Sequence, residues 1–312
     1  MKYNNFYLVI FVIFLACETP SDQNVKIDPV LRDSILTNMK RVDDNINQAI
    51  SLRKAFEYVQ QIKNDSLQIK YLKALDFRAL NSQQDIFFDI NTLGKEKSVK
   101  YKDTTSLANF YWDLGDYHLN NNRSDQAYFA YNEAQFLFNE IEKEENNAQM
   151  LYNLALIQGQ AKDFTGAEVN LIKVVEISKK LQNYNQLYKS YNLLGITNYN
   201  LKNYNVALNY YNNALQALGK VENPELYRAA TFNNLGNVHE KQGEYELAIK
   251  NYRKTLSTPD LYDGDPYLYA MALDNLAYNR LETGELQNVL PDMQEALGIR
   301  QKIQHTAGIS IS

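Results

Sequence analysis

The sequence predicts an all-α protein made of stacked antiparallel helix pairs, and three observations carry that expectation. Only 12 Gly and 6 Pro interrupt 312 residues that include 24 Tyr and 13 Phe, so long helices meet few breakers. A small residue returns at steps of 40, 40, 41 and 41 residues, as Gly115, Ala155, Gly195, Gly236 and Ala277. Around it, residues keep helical spacing on both sides of a short polar break, as in Phe232, Leu235, Gly236 and His239, then Ala248, Tyr252 and Thr255.

Each element follows from that repeat. Residues 28–104 are amphipathic, and Ala74, Ile86, Ile90 and Leu93 stand at related offsets, predicting a degenerate repeat behind one leading helix. Residues 105–300 hold five units of 40–41 residues. Twelve positions past each small residue come Ala127, Ala167, Ala207, Ala248 and Val289, and seven further on Ala134, Val174, Ala214, Thr255 and Ala296. A glycine within a helix costs about 1 kcal/mol relative to alanine, so Gly236 needs a packing reason. At a helix crossing it lets the axes reach the near end of their usual separation of about 8–10 Å. The breaks "KQGEY" and "LETGEL" place Gly243 and Gly284 where positive φ closes a turn. Lys162 and Lys202 fill the same slot in "AKDFT" and "LKNYN", which predicts less relaxed turns there. A sixth small residue would fall near position 317 or 318, so residues 301–312 read as the start of a truncated further repeat.

Leu-Gly/Ala in the first helix and Ala, aromatic, Ala in the second, clearest in "YNLLGITNYNLKNYNVALNYYNNAL", resembles the longer form of the tetratricopeptide repeat (TPR). Ser124, Leu286 and Val289 depart from that pattern. The resemblance implies a right-handed TPR superhelix, an α-solenoid, whose concave groove takes a protein or peptide ligand. With the N-terminus described next, the chain also resembles the exported region of bacterial TPR-containing sensor histidine kinases. That implies a two-component sensory region whose membrane helix and kinase lie beyond residue 312. The alternative is a free-standing TPR lipoprotein that scaffolds an envelope complex.

An apolar run from Phe6 to Ala16 is too short to span a bilayer and reads as a signal peptide over residues 1–16, followed by a polar linker over 17–27. Cys17, the only cysteine, follows the small Ala16 and resembles the lipobox of bacterial lipoproteins, although Phe14 stands where leucine is usual. Cys17 is thus either a lipid anchor or incidental to an ordinary cleaved signal. Both readings export the remainder to the cell envelope, periplasmic or membrane-attached, held there by the lipid or by a downstream helix.

No catalytic constellation, metal site or cofactor motif is present in the sequence, so this segment is expected to be no enzyme. Its 37 acidic and 32 basic residues are intermixed, giving a net charge of −5 with no basic block, which argues against nucleic acid. His118 and His239 share one repeat position, which fits packing, and "PDLYDGDPY" reads as a solvated turn. The sharper candidates are amides. Asn153, Asn234 and Asn275 stand two before the small residue, Asn192 and Asn233 three before, and Asn237 one after. In a stacked array these positions border the concave groove, where an amide can donate to and accept from a peptide backbone. They either contact a peptide, as the TPR resemblance implies, or hydrogen-bond between neighbouring repeats. Asp113, Leu156, Leu193 and Ile196 interrupt the row. Trp112, the sole tryptophan, either anchors a ligand or is buried beneath the N-terminal helices.

Overall fold

Short-range helix propensity and the breaks between elements produce fifteen helices, and no strand occurs among the described residues. The computed structural model describes residues 27–309; Cys17 and the expected signal peptide lie outside them. The chain divides into two compact units at Ile141 and Glu142. The first holds α1 (Pro29–Asp43), α2 (Gln48–Gln60), α3 (Asp65–Asn81), α4 (Phe87–Tyr101), α5 (Thr104–Asn120) and α6 (Ser124–Glu140). The second holds α7 (Glu144–Gln160), α8 (Phe164–Lys180), α9 (Tyr184–Asn200), α10 (Tyr204–Leu218), α11 (Glu225–Lys241), α12 (Tyr245–Leu256), the single turn α13 (Leu261–Gly264), α14 (Pro266–Thr283) and α15 (Val289–Ile309). Consecutive helices pack in pairs within each unit, α1 with α2 through α14 with α15, which is the stacking of a TPR-like solenoid.

Caps fix where the helices start. Asp103, Asp163, Asn183 and Asp265 each accept a backbone N–H from three residues on, at 2.9, 2.9, 3.0 and 2.9 Å, satisfying donors that the first turn leaves unpaired. Left-handed residues fix where they stop. Gly243 and Gly284 have φ of 76°, as their breaks predict, while Lys162 and Lys202 adopt 65° and 61° with a full side chain, at a cost of about 1 kcal/mol each. The next N–H then reaches back five residues, Asp163 to the Gln158 carbonyl at 2.8 Å and Glu244 to that of His239 at 2.9 Å.

Two features differ from the expectation. The degenerate repeat around Ala74 is the pair α3 and α4, but what precedes it is a second pair, α1 and α2, rather than one leading helix. At the other end, α15 runs unbroken through Arg300, so residues 301–309 continue the fifth unit's second helix instead of opening a new element.

The crossing within each pair explains the small residues. A Cβ built on Gly115 or Gly236 would lie 2.5 Å from the ring of Tyr131 or Tyr252, and one on Gly195 would strike Tyr211. Each ring stands sixteen residues beyond its glycine and is almost wholly buried. Gly94 meets Phe110 at the same offset, across α4 and α5. Where the small residue is alanine, position sixteen is aliphatic instead: Ile90 after Ala74, Leu171 after Ala155, Met293 after Ala277. A ring needs the room that a Cβ would occupy; a branched or flexible aliphatic chain does not. Gly236→Ala should therefore lower the unfolding free energy by about 1–3 kcal/mol despite its better helix propensity, whereas in a Tyr252→Leu background the same change should be neutral or stabilising. Urea denaturation of the four-member cycle measures this coupling.

Candidate functional site

All six candidate asparagines lie on the first helix of a pair in the second unit, and five of them are joined by hydrogen bonds. Asn234 Nδ2 donates to Asn192 Oδ1 at 3.2 Å, across α11 and α9. Asn275 Nδ2 donates to Asn233 Oδ1 at 3.4 Å and to Asn237 Oδ1 at 3.1 Å, across α14 and α11. One rule covers both steps: the amide three before the small residue accepts from the amide two before it in the following repeat. Asn153 stands outside this ladder and accepts from Gln149 Nε2 at 2.9 Å on its own helix; the position three before Gly115, where the rule would put its acceptor, is Trp112, which has no acceptor to offer. In the fifth unit Asp274 fills the accepting position and pairs with Arg300 of α15.

A second tier lies beside the ladder. The Tyr252 hydroxyl is 2.9 Å from Asn237 Oδ1 and 3.2 Å from Glu240 Oε2, and Asn279 Nδ2 donates to the same Glu240 oxygen at 2.9 Å. In α9 the buried Asn198 donates to Glu168 Oε1 at 2.9 Å. Sequence reading missed Asn198 and Asn279; their signal is an amide on the apolar side of a helix, which demands a partner. The row is thus in part structural. A primary amide has two N–H groups and an acceptor oxygen, however, and the ladder uses only some of them. Asn192, Asn234 and Asn275 remain half-buried, with amide planes fixed by their neighbours.

The first unit presents different chemistry at equivalent positions. Asp113 stands two before Gly115 and Asp116 one after, where α11 has Asn234 and Asn237. The Tyr131 hydroxyl donates to Asp116 Oδ1 at 2.5 Å, as Tyr252 does to Asn237. The Trp112 indole also donates to Asp116. The Trp112 ring is half-buried, edge-on to Phe138 at 6.1 Å, and so packs on α6. Behind them Asp76, fully buried on α3, lies within hydrogen-bond reach of Asp113. Asn91 of α4 donates to Asp76 Oδ2 at 3.1 Å and to the Phe110 carbonyl at 2.8 Å. Burial raises all three carboxyls. The Asp113 charge further pushes Asp76 well above the ordinary range, Asp113 rises to about 7 with the Asp116 charge adding to burial, and Asp116 rises to about 6.

The remaining sequence candidates are accounted for by packing. His118 lies beside the rings of Phe88 and Tyr117, with burial lowering its pKa, and His239 Nδ1 is 2.6 Å from Glu244 Oε2. In the acidic loop, Asp265 caps α14.

A carboxyl whose folded pKa is raised binds its proton more tightly when folded, so its stabilising contribution is complete below the ordinary range near 4 and is lost as pH rises to about 7. Asp65, lowered by its hydrogen bond to Lys97, acts below that window. The first unit should therefore unfold at lower denaturant concentration at pH 7.5 than at pH 5, and Asp113→Asn should remove most of the difference.

Comparison with known proteins agrees with this geometry. Residues 227–302 match the tetratricopeptide repeat family. No curated protein matches the chain. Among solved structures, the apo form of RapI is similar over 88% of this chain and 99% of its own, with a TM-score of 0.62 and 16% identity. The apo form of the quorum sensor NprR from B. thuringiensis is similar over 86% of this chain and 76% of its own (TM-score 0.60, 14% identity). BtubC (BKLC) from P. vanneervenii covers 89% and 93% (TM-score 0.56, 18% identity). At these identities the likeness is one of fold, and the fold it establishes is a TPR-like solenoid with a tetratricopeptide repeat match over residues 227–302.

Proposed function

We propose that this chain is a binding scaffold that holds an extended segment of a partner protein or peptide against the first-helix asparagines of its second unit. The observation that carries this reading is the ladder itself. Asn192, Asn234, Asn237 and Asn275 are half-buried and locked in register by their mutual bonds, so the donors and acceptors they have left are pre-oriented and lose little side-chain entropy on binding, whereas Asn233, expected to face the ligand, is buried at 1% exposure and serves the ladder as an acceptor. A solved structure of NprR in complex with its cognate peptide NprX, similar over 88% of this chain at 13% identity and a TM-score of 0.52, supports a peptide ligand for such a fold. The Ala16-Cys17 junction supports an exported scaffold held in the envelope through a lipid on Cys17. The finer reading as the sensory region of a histidine kinase, and the alternative of a free-standing envelope lipoprotein, rest on the sequence resemblance.

Screening the purified chain against an array of immobilised peptides should find ligands whose binding falls at least tenfold in Asn234→Ala/Asn275→Ala. The same pair should cost only about 1 kcal/mol of stability for each lost bond. Binding unchanged in the double variant would overturn the groove assignment. Separately, cells fed labelled palmitate should label the chain, and Cys17→Ser should abolish the label; equal labelling of both forms would exclude Cys17 as the anchor.

A further inference from the structure

The fifth repeat leaves open a face that the earlier repeats of the second unit cover. Sixteen and twenty residues past the small residue stand Leu171 and Val175 on α8, Tyr211 and Leu215 on α10, and Tyr252 and Leu256 on α12. Each pair shares an apolar cluster with the first helix of the following repeat, through Leu187 and Leu194 of α9, Leu235 and Val238 of α11, and Leu276 and Tyr269 of α14. On α15 the corresponding residues are Met293 and Leu297, at 38% and 54% exposure, and Leu290 is 65% exposed where its counterpart Ile249 is 5%. On α14, Tyr278 and Leu281 stand where α11 has Asn237 and Glu240, the acceptors of the next repeat's Asn275 and Asn279, and both are exposed. Leu286, in the turn before α15, is exposed as well. A repeat array normally ends on a polar outer face, and the first unit obeys that rule: apart from Val30 near its start, the exposed side of α1 carries Arg32, Asp33, Thr37, Lys40 and Arg41. Six large apolar side chains on the outer side of the fifth repeat mark an interaction surface instead.

We propose that this face binds the same face of a second copy of the chain, α15 against α15 in an antiparallel, two-fold pairing. Three observations select that occupant. Leu286, Leu290, Met293 and Leu297 are spaced four, three and four residues apart, the seam by which a helix packs lengthwise against one like itself. Beside the seam stand Gln294 and Gln301, exposed and uncharged, so a two-fold axis sets no like charges opposite one another, and the nearby Asp292 and Arg300 are already paired with Arg280 and Asp274. The area is also sufficient: with large side chains presenting roughly 200 Å² each, the exposed fractions of the six residues amount to about 600 Å² per copy, against about 800 Å² per partner in a standard stable interface. The polar side of α1 offers this apolar face no match, so association closes at two copies instead of running head to tail.

Sedimentation equilibrium of the purified chain should give a dimer at micromolar concentration. Leu290→Glu/Leu297→Glu changes only exposed side chains, and should weaken self-association at least tenfold while the helical circular dichroism is retained. Gln294→Glu/Gln301→Glu and Gln294→Lys/Gln301→Lys, which spare the apolar residues, should each self-associate at least tenfold more weakly than the parent chain. An equimolar mixture of those two should recover a dimer containing one of each, because flanking residues of one copy meet those of the other across a two-fold seam. A parent chain that stays monomeric overturns the proposal and leaves the face to a helix of some other partner. Association that grows past the dimer, that persists in Leu290→Glu/Leu297→Glu, or that the mixed Glu and Lys variants fail to restore also overturns it. The amide ladder is tested separately, since peptides lost in Asn234→Ala/Asn275→Ala should still bind Leu290→Glu/Leu297→Glu.

Discussion

The contact of an aromatic ring with a missing Cβ is what the rest of the molecule depends on. Tyr131, Tyr211 and Tyr252 lie over Gly115, Gly195 and Gly236, and each ring fills space that any other residue would occupy with its own side chain. Close approach of the two helices follows, and with it burial of the alanines at the flanking offsets, Ala127 and Ala134, Ala207 and Ala214, and Ala248. Helices this short gain little from propensity alone, so the pairs hold because these stripes are buried against neighbours. The exchange of Gly with ring for Ala with aliphatic chain at Ala74, Ala155 and Ala277 shows one geometric demand met in two ways.

That packing determines what faces outward at the first-helix positions. With the small residue fixed at the crossing, the side chains two and three before it and one after it occupy the same places in each repeat. In α9, α11 and α14 those places carry amides that bond from repeat to repeat. In α5 they carry Trp112, Asp113 and Asp116. The tyrosine sixteen residues past the glycine serves both versions, since its ring closes the crossing while its hydroxyl donates to Asp116 or Asn237. One residue thus couples core packing to the chemistry of the presented surface.

Much of this was legible in the sequence, because a repeat converts weak local signals into offsets that can be checked five times. The all-α class and the positive φ at Gly243 and Gly284 follow from spacing and turn chemistry. What escaped has identifiable causes. The pair α1 and α2 carries no glycine or alanine in register with the others, Ser34 standing 40 residues before Ala74, so its two helices read as one. The turns at Asn122 and Gln182 adopt left-handed φ without glycine, because backbone bonds at the helix ends outweigh the local strain there, as they do at the expected turns of Lys162 and Lys202. The asparagine row was visible as a column of residues, but whether an amide faces a ligand or another amide depends on the rise between repeats. Asp76 was hidden because a carboxyl on an otherwise apolar face gives no sign, in sequence, of a second carboxyl from α5 beside it.

The most direct measurement of the central claim is a nuclear Overhauser spectrum with tyrosine rings and glycines selectively labelled. Strong cross-peaks should link the ring protons of Tyr131, Tyr211 and Tyr252 to the Hα protons of Gly115, Gly195 and Gly236 respectively, while Gly159, which has open space where its Cβ would be, shows none. Absence of those three cross-peaks in the folded protein would contradict the account, since the helix pairs would then be held apart by something other than a ring seated on a bare backbone.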